Sequence, residues 1–124
     1  MLKLVIDQDF DHDILRGVLR RFPELDFVTA LEAGLSETEA PQLLLWASAN
    51  ERILLTRDRK TMPKHFAAHL DKGNNLTGVF IVPRRLPIGQ AINELEIIIS
   101  CSRNEVAKYC KDVTDLNLRR KRFD

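Results

Sequence analysis

The sequence predicts an α/β fold in three layers, α/β/α, around a mostly parallel sheet of about four strands. Two observations carry this. Short aliphatic runs, Leu2-Lys3-Leu4-Val5-Ile6, Ile53-Leu54-Leu55 and Val79-Phe80-Ile81-Val82, are bounded by polar clusters, the signature of strands buried on both faces. Segments of helical period lie between them, and a β-α-β-α alternation argues for parallel strands with helices on both sides.

The first strand ends in Asp7-Gln8-Asp9-Phe10-Asp11. Asp11 suits the N-cap of a helix from about His12 to Arg21, whose Ile14, Leu15, Val18, Leu19 and Phe22 recur on one face. Pro23 stops that helix, and Asp26 to Thr29 makes a short second strand. A loop over residues 33–39 leads to Pro41, which fits the first turn of a second helix ending near Asn50. The third strand is Ile53 to Thr56. A third helix runs from about Thr61 through His65, Ala68 and Leu70 to a stop at Gly73-Asn74-Asn75. Pro83 closes the fourth strand. Ile92, Leu95, Ile98 and Ile99 are the inward face of a helix over residues 88–101, and a last helix is expected over about 105–112. Trp46 and the isoleucine-rich helix read as core, with a dimer face as the alternative.

Bulk properties are those of one ordinary domain: 124 residues, 44% hydrophobic and 30% charged. The formal charge of +1 is uneven, because Arg119, Arg120, Lys121 and Arg122 form a basic tail over residues 117–124 behind a domain of residues 1–116. Such a tail holds RNA phosphates or an acidic partner, or is a plain solubilising end. With no secretory leader and no apolar run of roughly 18 residues, the chain is expected to be cytoplasmic and off the membrane. Cys101 and Cys110 are then reduced thiols.

Asp7 and Asp58 each directly follow a buried run, and carboxyl ends of parallel strands are where such sheets bind ligands. Carboxylates gathered there call for a cation, and Mg²⁺ or Mn²⁺ takes oxygen ligands. Asp9 is a further candidate ligand. The competing explanation for each acid is a helix cap. Arg57, Arg59 and Lys60 flank Asp58 and are candidate phosphate contacts. His65 and His69 share metal-ligand spacing but lack further ligands nearby, so both read as surface histidines, and His12 as a helix-start residue.

These segments also carry a resemblance. The chain resembles the PIN-like family of small bacterial proteins, related to the VapC-type toxins, over about residues 2–100. It does so through Ile6-Asp7-Gln8-Asp9-Phe10, Ile14-Leu15-Arg16-Gly17, Gly34-Leu35-Ser36, Leu43-Leu44, Trp46-Ala47, Ile53-Leu54-Leu55-Thr56-Arg57-Asp58, Thr61-Met62-Pro63, Gly78 to Pro83 and Leu86 to Ile92. The resemblance implies a metal-dependent (Mg²⁺ or Mn²⁺) endoribonuclease, the toxin of a toxin–antitoxin pair, with RNA as substrate, a cognate antitoxin as partner and a homodimer as assembly. By position Asp7 is the first-strand acid and Asp58 the third-strand acid. The chain departs from the family where Ala40 replaces an acid before Pro41; Glu39, with Glu37 close by, is the candidate substitute. The alternatives are a catalytically inactive PIN-like binding module for protein or RNA and, third, a phospho-receiver domain.

Overall fold

The computed structural model describes residues 2–101, 108–110 and 112–116. Elements alternate as β1 (Lys3–Ile6), α1 (His12–Arg21), β2 (Asp26–Thr29), α2 (Ala40–Ala49), β3 (Ile53–Thr56), α3 (Met62–Asp71), β4 (Val79–Ile81), α4 (Ile88–Ser100) and β5 (Thr114–Asp115). The strands form one sheet in the order β2-β1-β3-β4-β5. The first four are parallel, and β5 pairs antiparallel with β4.

Successive side chains of a strand face opposite sides, and here both sides are covered. Leu4, Ile6, Leu55, Phe80 and Val82 pack under Ile14, Leu15 and Val18 of α1 and Ala91, Leu95 and Ile98 of α4. Val5, Leu54, Val79 and Ile81 pack under Leu43, Leu44 and Ala47 of α2 and Met62 and Phe66 of α3. The result is the expected three-layer arrangement. Each of the valine, leucine, isoleucine, methionine and phenylalanine side chains among them contributes roughly 1.5–3 kcal/mol by leaving water. The two outer helices α1 and α4 cross closely because Gly17 has no Cβ. One built there would fall 2.2 Å from Cδ1 of Ile92. Asp11 caps α1 as expected, its Oδ1 accepting the amides of Asp13 at 2.8 Å and Ile14 at 3.3 Å.

The sheet has five strands rather than about four. β5 has only two residues and no aliphatic run, so it carries no local strand signal. It is laid in place by Glu94, a buried acid on α4 whose Oε1 accepts the amides of Asp112 and Val113 at 3.0 Å each. The helix expected over 105–112 lies largely outside the described residues; Lys108 and Tyr109 are helical, and Asp112 is not. The basic tail over 117–124 also lies outside them. Cys101 and Cys110 are free thiols. Burial, then the charges of Glu94, Cys101 and Asp115, push the Cys110 thiol up to about 11, so it is protonated at neutral pH.

His69 is a second correction, since it is buried rather than on the surface. Its Nε2 lies 2.9 Å from the Pro41 carbonyl oxygen, which requires a proton on Nε2. Nδ1, 3.3 Å from Nδ2 of Asn74, is then the acceptor. The apolar stripe of α3 runs Met62, Phe66, His69, at i, i+4 and i+7, and carries the imidazole against the start of α2. Among the described residues no helix is long and apolar enough to cross a membrane.

Candidate active site

Parallel strands β1 to β4 deliver all their carboxyl ends to one edge of the sheet. The chain leaves β1 toward β2 and leaves β3 toward β4, so a topological switch point falls between the adjacent strands β1 and β3. A cleft of about 750 Å³ opens there. Asp7 and Asp9 line it from the turn after β1, Arg57 to Lys60 from the turn after β3, and Pro83 to Arg85 from the loop after β4.

The Asp7 amide donates to the Leu55 carbonyl at 3.0 Å, extending the β1–β3 ladder by one residue and fixing where its side chain starts. Its Oδ1 accepts the Gln8 amide at 2.8 Å, and its Oδ2 accepts the Thr56 hydroxyl at 2.7 Å. Thr56 is fully buried, and the same oxygen accepts the Asp58 amide at 3.1 Å. One hydroxyl at the end of β3 therefore ties the two acids together. Thr56 was not singled out as a site residue from the sequence. The signal was there, a hydroxyl ending an otherwise apolar strand.

Asp58 is held on its other side by Thr61, whose amide donates to Oδ1 at 3.0 Å and whose hydroxyl donates to Oδ2. The helix-cap explanation is thus partly in force, because this acid orders the turn that leads into α3. Burial alone would raise the Asp58 pKa. The Thr61 hydroxyl and amide, the Lys60 amide and the charge of His65 outweigh it, leaving the carboxyl below the ordinary aspartate range. A carboxyl depressed in the folded state stabilises above its unfolded value of about 3.9, and that contribution is lost as pH falls through the lower folded value. Wild-type protein should therefore lose stability faster than Asp58→Asn as pH falls below about 4, as read from denaturant midpoints. Parallel curves would show that the Thr61 contacts do not favour the charged form.

Arg57 departs from the expected phosphate contact. Its guanidinium is mostly buried: Nη2 donates to the carbonyls of Pro83 at 3.1 Å and Arg84 at 2.8 Å, and Nη1 lies 3.5 Å from Oδ2 of Asp11. Its Nε is buried without a hydrogen-bond partner among the described residues. Arg59 and Lys60 are exposed at the cleft, as are Arg84 and Arg85, two residues that the sequence reading did not place in the site. Their signal was the one that found the acids, polar residues directly after a buried run. Arg85 lies 3.5 Å from Asp112, a pair too exposed to be worth much. The cleft lining therefore holds three acids and five bases, two bases more than the three that flank Asp58 in the sequence.

Glu39 is the exposed N-cap residue of α2, makes no capping bond with its side chain, and is not part of the cleft lining. Ala40 packs against the α2–α3 side of the core, where a carboxylate would be costly. His12 is exposed at the start of α1. Among the described residues no three His, Cys, Asp or Glu side chains gather closely enough to hold an ion by themselves. Asp7 and Asp58 still suit a hard dication. Each carboxylate oxygen of Asp7 accepts one hydrogen bond and keeps a second lone pair, and Mg²⁺ is commonly held by one or two carboxylates with water and phosphate completing its shell. No family model, curated protein or solved structure matches this chain.

Proposed function

We propose that the chain is a PIN-like, metal-dependent ribonuclease acting in the cytoplasm. One observation carries this: a single buried hydroxyl, Thr56, binds the Asp7 carboxylate and the Asp58 amide, so the two acids face an exposed basic rim across one cleft, at the switch point of a parallel sheet. Asp7 and Asp58 would hold Mg²⁺ or Mn²⁺, with Asp9 beside them. When bound, such an ion supplies positive charge to the phosphodiester and acidifies water. The protein's own part is to fix the two acids through Thr56 and to seat phosphates on Arg59, Lys60, Arg84 and Arg85. The resemblance extends the proposal to a toxin restrained by a cognate antitoxin, and to a homodimer.

Two observations favour a second reading, a binding module that holds RNA without cutting it. Both oxygens of Asp58 are already engaged by Thr61, and Glu39 stands outside the cleft. The receiver reading is weakened by β5: it is antiparallel, so its carboxyl end points to the edge opposite Asp58. The deciding experiment incubates partner-free protein with single-stranded RNA in Mn²⁺ and in EDTA. Cleavage in Mn²⁺ that EDTA abolishes is the expected result. RNA retained but uncut in both would replace the nuclease with the binding module.

A further inference from the structure

We infer that Arg57 is a positioning residue. It holds the turn over residues 83–86 so that Arg84 and Arg85 form a rim for successive phosphates of a single-stranded RNA. The inference rests on the RNA reading above and adds to it which cations meet the strand and what places them. The turn is closed by the Leu86 amide, which donates to the Pro83 carbonyl at 3.1 Å. Pro83 and Leu86 are buried, so the turn is anchored at both ends while the two arginines between them stay exposed. Arg57 reaches this turn from 26 residues away and donates to two consecutive carbonyls of it, Pro83 and Arg84. Both bonds come from Nη2, while Nη1 lies 3.5 Å from Oδ2 of Asp11, so the planar fork serves the turn and the acid from two separate nitrogens; the single nitrogen of an ammonium cannot stand at both places.

Charge accounting points the same way. Asp11 faces Arg57 at 3.5 Å, so the guanidinium is already partnered and directed into the fold. Arg84 makes no ion pair among the described residues, and the contact of Arg85 with Asp112 is weak enough to yield to a phosphate. Arg57 also immediately precedes Asp58. A single residue thereby couples the acidic floor of the cleft to its basic rim.

The test measures binding of a fluorescein-labelled oligouridylate in EDTA over a range of salt, together with hydrogen exchange of the Leu86 amide. Single-stranded binding loses about 0.7 in the slope of log K against log salt per phosphate contact, so R84A/R85A should lower the slope by about 1.4. R57K keeps the charge and loses the fork. It should lower the slope by about the same amount, speed Leu86 exchange, and add nothing further in the R84A/R85A background. Wild-type slope and Leu86 protection in R57K would overturn the role of Arg57 and leave the RNA reading standing. Wild-type protein that does not bind the oligomer would overturn the RNA reading itself. Should R57K fail to fold, R84A/R85A alters only exposed residues, and an unchanged slope there overturns the rim.

Discussion

Asp7→Asn is expected to lower Mn²⁺-supported RNA cleavage by about 100-fold or more while shifting the melting temperature only slightly. Removing one preorganised electrostatic group from a reacting centre commonly costs about 10²–10³ in rate. The structural cost is small because the amide is nearly isosteric. Asn oxygen keeps one of the bonds now made to the Gln8 amide and the Thr56 hydroxyl, and losing the other is worth about 1 kcal/mol. Asp58→Asn should silence cleavage as well, yet it should also destabilise, because both oxygens of Asp58 hold the Thr61 turn ahead of α3. Glu39→Gln should leave both properties unchanged, since Glu39 is exposed and outside the cleft. Gel assays of the three variants beside thermal melts check the pattern. Loss of cleavage in Glu39→Gln with retention in Asp7→Asn would move the reacting centre to the α2 terminus.

Positions whose role follows from local period were legible in the sequence. Three buried runs became β1, β3 and β4, the short segment Asp26–Thr29 became β2, and the cap at Asp11 and the apolar face of α1 fell where the spacing put them. Asp7 and Asp58 were legible for the same reason: parallel topology sends every residue that follows a buried run to one edge. What stayed hidden depends on contacts far apart in the chain. β5 exists because Glu94 binds the amides of Asp112 and Val113, 18 and 19 residues further on. The targets of Arg57 lie 26 and 27 residues away. His69 pairs with His65 at i+4 on spacing alone, whereas the stripe that decides burial joins it to Met62 and Phe66.

Arg84 and Arg85 add two cations to the three, Arg57, Arg59 and Lys60, that flank Asp58 in the sequence. Acids after strands point to a metal because an unpaired carboxylate there is costly. The fold supplies cations of its own from the loop after β4. On the proposed reading these cations and the carboxylates would serve different partners. A phosphodiester is an anion that needs the basic rim to dock, and the carboxylates need a dication only where the reacting phosphate sits. A cleft with three acids and five bases fits a substrate that brings its own negative charge.

Leu54→Ala is expected to destabilise by about 2–5 kcal/mol, whereas Leu45→Ala should stay within about 0.5 kcal/mol of wild type. At roughly 3–5 °C per kcal/mol for a domain of this size, the first change lowers the melting temperature by some 6–25 °C. Both residues are leucines in apolar stretches, Leu43-Leu44-Leu45-Trp46 and Ile53-Leu54-Leu55, and composition alone cannot rank them. Position in the sheet does. β3 lies between β1 and β4 and is buried along its whole length, and Leu54 is 0% exposed under α2 and α3. Leu45 sits on the outer face of α2 at 40% exposure, so its truncation leaves no cavity to be filled. Urea denaturation of the two variants measures the difference directly. Equal losses would mean that the outer face of α2 is as well covered as the centre of the sheet, and the layer order built on β3 would have to be redrawn.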